Sequence, residues 1–238
     1  MKILLLLLAS AKLGKVALTA GTMLLSMVAY GLVFGWWYAV GFVLLIFCHE
    51  MGHFLAAKQR GLDVGAPTFI PFVGAWIQLK DQPMNVETEA YVAMAGPVVG
   101  TIAAVGCYYL AESTQSPLWL ALAYAGLMIN LFNLIPLSPL DGGRITAIIS
   151  PKAWVVGVPI LVALFFWIHS PMLLLVALLA FPQVWNQIRH GGQPGIPARY
   201  YEVPTATRWN YAIYYLGLAA FLGVMSYQTH QILQALKL

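Results

Sequence analysis

The feature that most constrains this chain is a series of apolar stretches, separated by short polar connections. A helix needs roughly 20 apolar residues to cross the hydrocarbon layer of a bilayer. Lipid offers no hydrogen bonds to a backbone, so spanning segments of this kind form helices. We therefore predict an all-α polytopic membrane protein with six to seven transmembrane helices. The predicted spans are residues 16–34, 36–57, 86–110, 118–135, 153–168, 172–184 and 209–227.

Composition supports this class and excludes others. Of the 238 residues, 61% are hydrophobic and only 8% are charged, which leaves no room for a sizeable soluble domain. The net charge of +4 does not indicate nucleic-acid binding, because the basic residues are spread between the apolar spans. Cys48 and Cys107 both lie in apolar segments and suggest no disulfide framework.

The distribution of basic residues predicts the topology. If the N-terminus is cytoplasmic, every lysine and arginine except Lys237 falls on the cytoplasmic side, as the positive-inside rule requires. We expect a multi-pass integral protein of the cell (cytoplasmic or inner) membrane. Residues 1–11 resemble a short secretory signal, but their apolar core is short for one. We expect this segment to be retained at the membrane interface, with cleavage as the alternative.

The second predicted span contains two imidazoles and a carboxylate, in the order His49, Glu50 and His53. A charged group at bilayer depth costs at least about 2.5 to 3.5 kcal/mol on insertion scales, so its presence suggests a function. Residues four apart share one face of a helix, so both histidines can bind a single ion. Zinc accepts such a pair, and Glu50 is placed to take a proton from water. The alternative is two buried, hydrogen-bonded histidines and a Glu50–Lys58 ion pair.

Residues 64–80 are too short and too interrupted by proline and glycine to form a span. They predict a re-entrant or edge β-hairpin, which is admissible at membrane depth only where it lines a cavity or is covered by protein. An interfacial loop with aromatic anchors is an equally good interpretation. If the segment is a hairpin, its candidate substrate-binding residues are Phe69, Phe72, Gly74 and Trp76. The small residues Ala95, Gly96 and Gly100 in the next span predict close helix packing.

Catalytic zinc needs a third protein ligand, for which an acidic oxygen is a usual choice. Asp141 is the best candidate, because it follows a helix break, has the flexible Gly142 and Gly143 behind it, and lies on the same side as the histidine pair. The alternative is a capping or loop aspartate paired with Arg144.

Two motifs in order, His49-Glu50-x-x-His53 and Asn133-x-x-Pro136-x-x-x-Leu140-Asp141-Gly142, resemble the paired signature of the site-2 family of intramembrane zinc metalloproteases. The resemblance implies one zinc ion per chain held by His49, His53 and Asp141, with Glu50 as general base and acid. It also implies that Asn133 polarises the scissile carbonyl or holds the substrate backbone, a role that Asn130 can share. The chain resembles a minimal branch without PDZ or CBS domains.

The resulting expectation is a single membrane-embedded peptidase domain over residues 1–238, with a catalytic core at about 36–144 and further helices at about 153–230. Its substrate would be a transmembrane protein cleaved within or next to a membrane span, at a site near the cytoplasmic side. We expect the lipid bilayer and no nucleic acid as partners, and leave open a homo-oligomer or a regulatory membrane partner. The alternatives are a proton- or metal-ion-coupled transporter and an inactive scaffold that binds a client helix.

Overall fold

The computed structural model describes residues 2–72, 74–76, 84–190 and 195–236, which form eight α-helices, a two-stranded sheet and one turn of 3-10 helix. The helices are α1 (Lys2–Phe34), α2 (Trp36–Gln59), α3 (Val86–Thr114), α4 (Pro117–Asn133), α5 (Asp141–Ile149), α6 (Ala153–Ile168), α7 (Pro171–His190) and α8 (Thr205–Ala235). The strands are β1 (Thr68–Ile70) and β2 (Gly74–Trp76), and the 3-10 turn is Ala198–Tyr201. The prediction of a mainly helical chain is confirmed.

Three of the described helices are long and apolar enough to cross a membrane: Val16–Phe34 within α1, all of α2 and all of α3. Shorter apolar helices are Pro117–Asn133, Ala153–Phe166 and Leu173–Arg189. Helix α8 is long but contains Asn210 and several tyrosines, which lower its hydropathy. These helices are those of a membrane protein, while the number of six to seven spans stays a prediction.

The helix boundaries follow local chemistry. Gly35 separates α1 from α2 with a φ of 89°, a conformation that glycine adopts readily. Asn85 caps the N-terminus of α3, where its side-chain oxygen accepts a hydrogen bond of 2.8 Å from the backbone N–H of Thr88. The N-terminal residues 2–15 continue α1 without a break. Their retention at the membrane interface stays a prediction.

Helices α2, α3 and α4 approach one another closely at glycines. A Cβ atom at Gly52 of α2 would lie 2.4 Å from the carbonyl oxygen of Ala95 in α3. A Cβ atom at Gly126 of α4 would lie 2.8 Å from the Cβ of Ala104 in α3. The small residues therefore allow close approach between these helices, as the sequence predicted at Ala95, and bring both α2 and α4 against α3.

The segment at 64–80 contains an antiparallel pair of strands, in which Phe69 lies opposite Ala75. Side chains of α1 bond to its backbone: the hydroxyl of Thr19 donates to the carbonyl of Pro67 (2.7 Å), the N–H of Phe69 donates to Thr22 Oγ1 (3.2 Å), and the N–H of Phe72 donates to the hydroxyl of Tyr30 (2.9 Å). Residues 73 and 77–80 lie outside the described part of the chain. Placement of this hairpin at membrane depth stays a prediction.

Gly142 and Gly143, which were expected to be flexible residues behind Asp141, are helical in the structure. Asp141 is the first residue of α5, and both glycines lie in its first turn. A Cβ atom at Gly142 would lie 2.2 Å from the carbonyl oxygen of Leu134, and one at Gly143 would lie 2.4 Å from the backbone nitrogen of Ser138. The glycines therefore let α5 lie directly against the chain that leaves α4.

Candidate metal centre

The structure brings three of the predicted site residues together. The Nε2 atoms of His49 and His53 lie 3.1 Å apart. Asp141 Oδ2 lies 3.1 Å from the first of these nitrogens and 3.3 Å from the second. All three side chains come from the buried interior, where His49 is 4% exposed and Asp141 is 8% exposed. Residues separated by about ninety positions in sequence thus form one triangle of donor atoms.

The size of this triangle fits a metal ion. Ligands at the corners of a tetrahedron, with zinc at about 2.0 to 2.1 Å from each, lie about 3.3 Å from one another. The observed separations of 3.1 to 3.3 Å are close to that value. Two imidazoles and one carboxylate also form a donor set that zinc uses at catalytic sites, with the fourth position left for water or substrate.

The outer hydrogen bonds fix which histidine nitrogens face the centre. His53 Nδ1 lies 2.8 Å from the carbonyl oxygen of Val92, and a carbonyl can only accept, so this nitrogen carries the hydrogen. His49 Nδ1 lies 2.8 Å from Asn130 Oδ1. The amide of Asn130 is oriented by its Nδ2, which donates to the carbonyl of Gly126 at 2.7 Å. Each imidazole, when neutral, therefore presents an Nε2 lone pair to the centre, as metal ligands do.

Two glycines of α3 leave the room that this arrangement needs. A Cβ atom at Gly96 would lie 2.2 Å from His53 Nε2. A Cβ atom at Gly100, one turn later, would lie 2.4 Å from Asn130 Oδ1. The sequence predicted only close packing here, whereas the structure also places these glycines against the donor atoms and their hydrogen-bond partner.

The sequence left open two alternative ion pairs, Glu50 with Lys58 and Asp141 with Arg144, but the structure pairs this lysine and this arginine with other carboxylates. Lys58 Nζ lies 3.8 Å from Asp63 Oδ1, at the exposed end of α2, so Glu50 is not its partner. Arg144 Nε lies 3.3 Å from Glu89 Oε1, while Asp141 faces the histidines.

Of the remaining predicted site residues, Glu50 is buried one position after His49 in α2. Asn133 is half-buried at the end of α4, and its role stays a prediction. Phe69 is 2% exposed and its ring lies 6.4 Å from that of Phe47, so it packs in the core instead of facing a substrate. Phe72 is 55% exposed and stays a candidate for substrate contact, as do Gly74 and Trp76, of which only the backbone is described.

Sequence reasoning allowed Asn130 only to share the substrate role of Asn133, whereas in the structure its Oδ1 lies 2.8 Å from His49 Nδ1. One signal could have found this role, because an asparagine inside an apolar helix needs a buried partner. The sequence alone could not say which partner, since the answer depends on how α4 crosses α2.

Residues 37–116 match the sequence pattern of peptidase family M50, a range that includes His49, Glu50 and His53. The zinc metalloprotease MJ0392 of Methanocaldococcus jannaschii is 35% identical over 48% of this chain and 36% of its own length. The putative zinc metalloprotease sll0528 of Synechocystis is 34% identical, over 42% of this chain and 27% of its own length. The probable chloroplastic zinc metalloprotease EGY1 of Arabidopsis thaliana is 28% identical, over 44% of this chain and 28% of its own length. The chain thus spans 27 to 36% of the length of these relatives.

Proposed function

We propose that this chain, whose residues 37–116 match the sequence pattern of peptidase family M50, is an intramembrane zinc metalloprotease that hydrolyses a peptide bond within or next to a transmembrane segment of another membrane protein. The observation that carries the proposal is the triangle of His49 Nε2, His53 Nε2 and Asp141 Oδ2. Its dimensions match a tetrahedral zinc site, and its two histidines lie in α2, a helix that is apolar enough to cross a membrane.

The residues around the triangle divide the chemistry among them. Zinc, when bound, supplies a Lewis acid that activates water and the scissile carbonyl. Glu50 takes one proton from the attacking water and returns it to the departing amine. Asn133 donates its amide N–H to the substrate carbonyl or holds the substrate backbone. Asn130 and the carbonyl of Val92 keep the two imidazoles in the tautomer that leaves Nε2 free.

A helical substrate must unwind before hydrolysis, because its carbonyls are engaged in internal hydrogen bonds. We propose that the opened strand pairs with β2. The N–H of Phe69 donates to Thr22, so it points away from β2, and Phe69 and Ala75 form a pair without mutual hydrogen bonds. The N–H and C=O of Ala75 then point to the outer edge of β2. The outer edge of β1 already bonds to α1, which supports pairing at β2.

We place the site near the cytoplasmic side of the cell membrane. The support is the proximity of His53 to Lys58 at the end of α2 together with the excess of lysine and arginine in the connections assigned to that side. The whole chain acts as one peptidase domain in this proposal, with one zinc ion per chain.

The test is Glu50→Gln in the full chain, reconstituted in vesicles with a peptide that contains a single transmembrane segment. We expect the variant to retain one zinc per chain by elemental measurement and to lose cleavage. Glu112→Gln, at an exposed position of α3, is the matched control and should cleave normally. Cleavage by the Glu50→Gln variant at the wild-type rate would contradict the assignment of Glu50.

The same preparation distinguishes a protease from the two alternative functions, a transporter and an inactive scaffold. Zinc uptake into the vesicle lumen without cleavage would favour a transporter. Binding of the peptide without cleavage by the zinc-loaded wild type would favour a scaffold.

A further inference from the structure

The third member of the triangle lies on a short helix whose position is set by residues far downstream. Helix α5 has nine residues, and Leu140, which precedes it, makes no side-chain cap. A helix of this length has little stability of its own. The contacts that fix α5 therefore also fix the carboxylate of Asp141 relative to the histidines of α2.

The C-terminal end of α5 is held by Arg208, the fourth residue of α8. Its Nη1 donates to the carbonyls of Ile148 (2.8 Å) and Ile149 (3.1 Å). Its Nη2 donates to the carbonyl of Tyr201 at 2.6 Å. A guanidinium at this position satisfies carbonyls that no helical N–H can reach, and its positive charge complements the helix C-terminus.

The first turn of α5 is held from α6. The indole N–H of Trp154 donates to the carbonyl of Gly143 at 2.7 Å, and the indole is buried. This hydrogen bond fixes the backbone two residues after Asp141, within the same turn of α5.

A third set of contacts joins α5 to α3. Arg144 Nε donates to Glu89 Oε1 at 3.3 Å, and the hydroxyl of Tyr200 donates to Glu89 Oε2 at 2.6 Å. Burial, and then the negative charge of Glu89, raise the pKa of Tyr200, which keeps the hydroxyl protonated as a donor. The carboxylate of Glu89 is thus held between a side chain of α5 and one of the 3-10 turn.

We infer that Trp154, Tyr200 and Arg208, here called the C-terminal clamp, are positioning residues that hold Asp141 beside His49 and His53, where it would bind the metal. This inference rests on the metal site of the proposed function and adds residues outside the predicted core of 36–144 and outside the range that matches the family. A site of this kind tolerates displacements of only about 0.5 Å before binding weakens. The clamp acts through α5 and contacts neither substrate nor metal.

The test compares two adjacent tyrosines in the full chain in detergent. Tyr200→Phe removes the hydroxyl that bonds to Glu89, whereas Tyr201→Phe removes a hydroxyl that makes no hydrogen bond within the described residues. Zinc affinity is measured by competition with a chromogenic chelator, without substrate. We expect Tyr200→Phe to weaken zinc binding about three- to tenfold, at or below the lower end of the effect of losing a direct hydrogen-bond partner of a ligand, because its hydroxyl acts through Glu89 and Arg144. Tyr201→Phe should change zinc binding by less than about twofold.

Cobalt replaces zinc for a second measurement. The visible absorption bands of bound Co²⁺ should shift in Tyr200→Phe and not in Tyr201→Phe, because a general loss of stability would not alter the ligand geometry. Arg208→Lys should show the same pattern, with Arg199→Lys at an exposed position as its control. Equal affinities and spectra for Tyr200→Phe and the wild type would overturn the inference. A wild type that binds no zinc would instead contradict the proposed function.

Discussion

Replacing Asn130 with alanine should weaken metal binding while leaving the fold in place. The change deletes the acceptor of the His49 Nδ1–H bond at 2.8 Å and the donor to Gly126 at 2.7 Å. The imidazole of His49 then has a buried N–H without a partner, and its ring is free to rotate away from Asp141.

Two independent estimates give the size of the effect. Leaving a buried donor unsatisfied costs about 1 to 3 kcal/mol. Removing the outer-shell partner of a metal-bound histidine costs about 10- to 100-fold in affinity, which is about 1.4 to 2.8 kcal/mol at 1.4 kcal/mol per decade. The estimates agree, so we expect the zinc dissociation constant to rise between one and two decades.

The geometry at Gly100 turns this prediction into a double-mutant cycle. A Cβ atom at Gly100 would lie 2.4 Å from Asn130 Oδ1 and 2.7 Å from Asn130 Nδ2. Gly100→Ala should therefore weaken zinc binding in the wild type by displacing the amide. In the Asn130→Ala background these two atoms and Cγ, at 2.9 Å, are all gone, so Gly100→Ala should have almost no further effect.

The assay is zinc competition with a chelator on the four proteins of the cycle, with Asn133→Ala as control. We expect a coupling free energy of about 1 kcal/mol or more, within the range of residues in direct contact. Asn133→Ala should lose cleavage at unchanged zinc affinity. The reasoning would be refuted if Gly100→Ala and Asn130→Ala lowered the free energy of zinc binding additively, or if Asn130→Ala bound zinc with wild-type affinity.

Further predictions concern the same site and the hairpin. Gly96→Ala should abolish stoichiometric zinc binding, because the new Cβ would lie 2.2 Å from His53 Nε2. Gly106→Ala is the control and should bind zinc normally, because the space around Gly106 is open. Equal zinc content of the two variants by elemental measurement would contradict this prediction. Thr22→Val should remove the hydrogen-bond acceptor of the Phe69 N–H and destabilise β1 locally by about 1 kcal/mol. The measurement is amide hydrogen exchange, which should become faster at Phe69 and stay the same at Thr88. Unchanged exchange at Phe69 would show that the bond does not hold β1.

The sequence predicted the parts of the site whose spacing lies within one helix. His49 and His53 share a face because of helical periodicity, and the need for a third ligand led to Asp141 after a break in the apolar pattern. The sequence could not predict α5, since two glycines at the start of a helix cost roughly 1 kcal/mol each relative to alanine. Here contact with the chain after α4 outweighs that preference.

The contacts that side chains make between helices were the hardest to predict from the sequence. Phe69 was predicted to contact substrate because it lies in an aromatic, proline-rich segment, but packing against α2 buries it. Asn130 bonds to a histidine 81 positions earlier, and no local pattern encodes a partner at that distance. The hairpin was predicted only as one of two alternatives, because its strands have three residues each.

The way α5 is held has a consequence for biosynthesis. Translation delivers the chain from its N-terminus, so His49 and His53 enter the membrane long before Arg208 leaves the ribosome. Until then the aspartate has no fixed place beside them, and we expect nascent chains stalled before residue 208 to hold zinc only weakly. The metal site would thus be completed only after translation has passed residue 208, well after the helix that carries both histidines has been made.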